Sequence, residues 1–189
     1  VEDLTSVVGI LADVIRHPTF PEEDVATKRG EVTTLIRQDE DNPAVVAIEG
    51  MLADLYGDTH GYGRKTRGSV ESVGAITAAA LRQFHAERFT PPSLSLVMVG
   101  DIEPSQALDA AAAGFADWRG AAPLPADLDG IRPAAGRRVR VVPMMNKAQA
   151  DIAYGFTSIR RSDPSYDAYW IMNNILGQFG LGGRLADNI

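Results

Sequence analysis

The stretch from Gly120 to Gly136 most constrains what this chain can fold into. It places Pro123, Pro125 and Pro133 among small residues and shows no apolar periodicity. Such a stretch can neither sustain a helix nor enter a strand ladder. It reads as a linker, with residues 1–119 and 137–189 as separate packing units.

The first unit opens with helical spacing. Leu4, Val7, Val8, Leu11, Val14 and Ile15 repeat at three and four residues, which predicts a helix with one buried face. His17-Pro18 ends it, because the residue before a proline avoids the helical region. Pro21-Glu22-Glu23-Asp24 then has a helix start's proline and acids, and the second helix runs to about Gln38. Asn42 caps and Pro43 opens a third helix, reaching Leu55. Gly57 to Gly68 reads as a glycine-rich loop. Thr77 caps a helix from Ala78 to about Arg88, and Pro104 opens an alanine-rich helix to Trp118.

Strands are expected where apolar residues alternate. Leu94, Leu96 and Met98 do so between Ser93 and Val99. After the linker, two more strands are read at 138–143 and 150–157. A helix from Ser162-Asp163-Pro164 to Leu176, a glycine-rich turn, and a last helix from Arg184 follow. This order predicts an α+β fold, with the end of one domain (1–119) joined by the linker (120–136) to the start of a second (137–189).

Composition closes several routes. The chain has 189 residues, 45% of them hydrophobic, which suffices for a substantial core. Its net charge of -7 disfavours nucleic acid, which demands clustered Lys and Arg. Arg137-Arg138 with Arg140, and Arg160-Arg161, read as exposed strand ends. With no cysteine, thiolate nucleophiles, thiolate zinc sites and disulfides are excluded. No apolar run reaches the ~18 residues of a membrane span, and no signal-type segment is seen at Val1–Leu4. The chain therefore reads as soluble, and both ends read as cuts through a longer protein.

A collinear series of short motifs carries more. It runs Asp41-Asn42-Pro43, Leu55-Tyr56-Gly57, His60-Gly61-Tyr62-Gly63-Arg64 and Phe89-Thr90-Pro91. It continues with Val97-Met98-Val99-Gly100-Asp101, Asn146-Lys147-Ala148-Gln149-Ala150, Asn173-Asn174-Ile175-Leu176-Gly177 and Gly182-Gly183-Arg184-Leu185. In this order the series resembles the pitrilysin/insulinase family of zinc metallopeptidases. The resemblance implies helices packed on one face of a mixed β-sheet in each domain. It also implies an inverted zinc motif, His-x-x-Glu-His, with a third glutamate ligand on a downstream helix. Three protein ligands would leave one position for an activated water.

That chemistry does not fit these residues. His17, His60 and His85 are the only histidines, and none has another within a helical turn. Counting back from Asp41-Asn42-Pro43, the family's third ligand falls on Leu35, after Thr34. A supporting family glutamate falls on Lys28. Glu31, one turn before Leu35, is the nearest acid and the substitute ligand if the register shifts. Asp39-Glu40-Asp41 reads as a solvated helix end rather than a cation site. No catalytic residue is assigned, and zinc is expected in an active partner domain or subunit.

The resemblance therefore implies a probably non-catalytic part of such a peptidase. Its partners would be the catalytic half or subunit and a peptide substrate. The alternatives are a fragment of a catalytic zinc endopeptidase whose motif lies upstream, or a structural assembly subunit of the same fold. Gly177 to Gly183 lacks the lysine of a phosphate-binding loop. It reads first as a helix end and flexible turn. Gly180, Gly182, Gly183 and Arg184 are its candidate substrate contacts. His60, without a carboxylate partner in sequence, reads as a structural loop residue. Tyr154, Phe156, Tyr166, Tyr169 and Trp170 are expected to pack the second domain.

Overall fold

The computed structural model describes residues 3–123, 136–178 and 183–184. Seven α-helices occupy these residues: α1 (Leu4–Arg16), α2 (Glu22–Glu40), α3 (Pro43–Tyr56), α4 (Val70–Gly74), α5 (Ala78–Arg88), α6 (Pro104–Phe115) and α7 (Tyr166–Asn173). Short 3-10 turns lie at Gly61–Gly63 and Pro91–Ser93, and a π-turn at Asn174–Gln178 follows α7.

The helix boundaries follow from local chemistry. Asn42 accepts hydrogen bonds from the Ala44 and Val45 amides, and Pro43 takes the first helical position, where its missing N–H is harmless. Thr77 accepts from Ala80 N and opens α5. Ser69 and Ser72 cap α4 reciprocally, each hydroxyl accepting from the other's amide.

Small residues let α1 and α6 approach closely. A Cβ on Gly114 would stand 3.2 Å from Ala12 Cβ and 3.3 Å from Val8 Cγ1. Val8, Ala12 and Ala110 are buried there. Arg16 Nη1 donates to Gly114 O at 2.8 Å and pairs with Asp117 at 2.9 Å, which fixes the end of the contact. The C-terminal end of α1 is clipped to α5. His85 Nε2 donates to Ile15 O at 2.6 Å, and Arg82 Nη2 donates to Phe20 O at 2.9 Å. On the other side, Arg29 of α2 reaches Ile76 O just beyond α4 at 3.1 Å. Val25 and Ile36 of α2 and Val73 of α4 are buried.

The expected α+β architecture is corrected by these elements. Among the described residues there is no strand, hence no mixed sheet for helices to cover and no pair of sheet-bearing domain parts. The three alternating segments at 93–99, 138–143 and 150–157 carry no ladder. The alternation itself is real. Leu94, Leu96 and Met98 are half-buried while Ser95, Val97 and Val99 are exposed. Alternation fixes which side chains turn inward, but a strand also needs a neighbour, and local sequence does not encode one.

The later residues lie instead against α3. A Cβ on Gly155 would come within 2.8 Å of Met51 Sδ and 3.3 Å of Leu55 Cδ1. Arg138 and Arg140 bind Asp54, so they are not free strand ends. The expected aromatic packing also fails at three positions: Tyr154, Phe156 and Trp170 are largely exposed. The proposed linker falls mostly on 124–135, outside the described residues, as does the helix expected after Arg184. No helix among the described residues is long and apolar enough to cross a membrane.

Candidate functional site

The ligand slot read from the sequence lies on α2. Lys28 and Glu31 occupy successive turns of its outer face and join through a 2.7 Å contact between Lys28 Nζ and Glu31 Oε2. Both side chains are more than half exposed. Leu35, one turn further on, is 41% exposed, and Thr34 turns its hydroxyl back to Gly30 O at 3.0 Å. Glu31 therefore sits beside an ammonium rather than among other ligands. A cation brought there would have to displace Lys28 and would find one carboxylate.

The acids at the end of α2 are equally dispersed. Asp39 pairs with Arg67, Glu40 with Lys65 at 3.6 Å, and Asp41 with Lys147 at 2.7 Å. Three adjacent carboxylates thus point at three different cations, which is an anchoring pattern and not a cage. Among the described residues, no group of three His, Cys, Asp or Glu side chains could hold a metal ion. The residues present do not fit zinc, whose sites use three or four converging ligands.

The largest concavity lies beside this helix end. It is a cleft of about 1020 Å³ between α3, the 61–69 loop, α4 and residues 140–142. Gly50 and Ala53 of α3, Gly61 and Gly63, and Ser69 and Ser72 line it together with Arg64, Lys65, Arg67 and Arg140. Three of these cations face carboxylates: Lys65 meets Glu40 and Glu49, Arg67 meets Asp39, and Arg140 meets Asp54. The cleft's field is therefore largely internally compensated.

The loop's shape depends on two glycines. Gly57 has φ +81°, a backbone that favours glycine. Gly63 is buried, and a Cβ on it would fall 2.0 Å from Gly57 O. His60 Nδ1 accepts from Tyr62 N at 3.1 Å, and its ring stacks on Tyr56 with centroids 5.5 Å apart. That is the role of a loop residue.

Arg140 grips Asp54 through Nε at 2.9 Å and through Nη2, while Arg138 donates to Asp54 O at 2.7 Å. The Arg140 hydrogen bonds hold the Asp54 carboxyl below its usual range, with the charges of Arg140 and Arg138 adding and slight desolvation opposing. A depressed folded-state pKa gives stability that is full above the unfolded value and lost as pH falls through the folded one. Asp54→Asn is thus expected to lower the melting temperature slightly at about pH 6, with the difference vanishing below about pH 3. Thermal unfolding of both proteins across that range checks it; an offset independent of pH would exclude this pairing as its cause.

Of the candidate substrate contacts, Gly180 and Gly182 lie outside the described residues. Gly183 is buried, with a virtual Cβ 2.4 Å from Gly177 Cα, and Arg184 N donates to Ile175 O at 3.0 Å. The chain therefore doubles back onto the end of α7 here. The structure brings Gly183 and Arg184 to that turn and not to the cleft. Sequence reasoning missed the Asp54 anchor. Its signal was the two-residue spacing of Arg138 and Arg140, which sets both on one side of an extended segment.

Comparison with known proteins adds the wider setting. Residues 75–189 match the family model described as the peptidase M16 inactive domain. The chain is 28% identical to an uncharacterized zinc protease, SCO5738, of Streptomyces coelicolor, over 99% of this chain and 41% of that protein. It is 25% identical to the mitochondrial-processing peptidase subunit beta of Rattus norvegicus, over 100% of this chain and 39% of that one. A crystal structure of a peptidase M16 inactive domain from Pseudomonas fluorescens superposes with TM-score 0.77 at 27% identity, over 98% of this chain and 44% of that one. The first half of the periplasmic protease PqqL from Escherichia coli shares the fold at TM-score 0.59 and 22% identity, over 70% of this chain and 28% of that one. This chain thus spans about two fifths of the curated relatives named here.

Proposed function

Because this chain belongs to the peptidase M16 family, through its inactive domain, we propose that it is a non-catalytic part of a pitrilysin-type peptidase. It forms wall and peptide-supporting surface beside a separate zinc-bearing half or subunit. Zinc is a property of the family; it belongs, in this reading, to that partner. The observation that carries the proposal is the ligand slot. Leu35 has no donor atom for a metal, and Lys28 puts a positive charge where a supporting acid would be. The only nearby acid, Glu31, is neutralised by that lysine.

Peptide contact is assigned to the turn after α7, through Gly183 and Arg184 and with Gly180 and Gly182 from the sequence. A close backbone approach at Gly183 supports this, since it leaves main-chain groups rather than side chains to meet a ligand. That a relative is named a zinc protease fits the same arrangement, with its catalytic residues outside the part matched here.

The test is metal analysis of the intact protein. Glu31→Gln is expected to leave the zinc content per chain unchanged. Loss of one equivalent would make Glu31 a ligand and favour a catalytic fragment instead.

A further inference from the structure

A groove of about 570 Å³ runs between residues 96–102 and α6. Its walls are Leu96, Met98, Val99 and Ile102 on one side and Ala107 and Leu108 on the other, with no charged or polar side chain among the lining residues. Val99 is 95% exposed and Leu108 70% exposed. Val97, beside the groove, is exposed as well. A contiguous apolar surface of this kind marks an interaction site rather than a solvent face.

The whole chain points the same way. Its accessible surface is 14908 Å² for 20.3 kDa. A self-contained domain of that mass exposes about 8,800 Å², so about 6,000 Å² more than usual is open here. A standard protein interface covers only about 1,600 Å² in total. One docked partner of ordinary size, or one second copy meeting the groove, would therefore leave most of the excess uncovered. The relatives show where more polypeptide is available. In SCO5738, the rat subunit and the Pseudomonas structure, the matched part is 41%, 39% and 44% of one chain. In each, more than half of the same polypeptide lies outside the match.

We infer that the groove between residues 96–102 and α6 seats an apolar segment of the same polypeptide, from outside residues 1–189. The groove's uncharged lining selects a stretch without charged side chains at its centre, since burying an unpaired charge there would be costly. This inference does not depend on the zinc slot: a protein that held zinc through Glu31 would still have the groove to cover.

The absence of cysteine in these residues gives a clean test. Val99→Cys and Leu108→Cys are made singly in the full-length protein, with any cysteine outside residues 1–189 replaced by serine. Each is labelled with a maleimide under native conditions and in denaturant. Native labelling at least tenfold slower than denatured labelling, independent of protein concentration, is the expected result. Equal rates at both positions would overturn the inference, as would protection that disappears on dilution, which identifies a second copy as the cover. If one variant does not fold, as judged by circular dichroism, Val97→Cys takes its place.

Discussion

Gly63→Ala is expected to destabilise the protein by about 3 kcal/mol, the upper end for forcing an atom into filled space. The added methyl would stand 2.0 Å from Gly57 O and 2.8 Å from Gly57 C. Both are backbone atoms, so no side chain can rotate away. Relief requires the 57–63 loop to open, and two constraints resist it. Gly57 is already held at φ +81°, and Gly63 N donates to His60 O at 3.0 Å. Opening would also pull His60 from Tyr56 and Tyr62, whose rings lie 5.5 and 5.4 Å from it. Gly61→Ala in the same turn is the control. Its nearest foreign atom is Arg64 Nη2 at 4.0 Å, so it should cost less than about 1 kcal/mol. Denaturant unfolding of the two variants decides the matter; equal losses would mean that the Gly57–Gly63 approach does not hold the loop.

What could be read from the sequence here divides by the range of the interaction. Asn42-Pro43 and Thr77 specify helix starts with atoms two or three residues away, and both caps form as expected. The cap of α4 was missed because Ser69 and Ser72 lack the acidic third position of the usual pattern. Strands failed for the opposite reason. Leu94, Leu96 and Met98 do turn inward, yet the partner that would make them a strand is not encoded within the segment. The Gly57–Gly63 approach and the Arg140–Asp54 pair join residues whose meeting depends on the path between them.

The candidate site shows the same division. A register counted within one helix placed Leu35, Glu31 and Lys28 on neighbouring turns, and an α-helix keeps such a count faithfully. Their partners were less accessible to reading. That Lys28 closes on Glu31, and that Asp39, Glu40 and Asp41 are claimed by Arg67, Lys65 and Lys147, emerges only in three dimensions. Those contacts turn an acidic helix end that might have drawn a cation into a set of anchors. They tie α2 to the loop that walls the cleft and to the residues that lie along α3.

Ile36→Ala is expected to cost about 3 kcal/mol, and Leu35→Ala, one residue away, less than about 1 kcal/mol. Ile36 is 2% exposed, whereas Leu35 is 41% exposed. Successive helical residues differ by about 100° around the axis, so the two side chains serve different surfaces. Removing Ile36's side chain leaves a cavity on the buried side of α2, which packs against α3 and α4. Removing Leu35 takes apolar atoms from a surface that is already partly wet. The pair also bears on the zinc slot. If Leu35 stood where a buried ligand carboxylate should point, its truncation would disturb packing as much as that of Ile36. Denaturant midpoints of both variants, with unchanged slopes, measure the difference. Equal losses would place Leu35 in the core and return the slot to the protein interior.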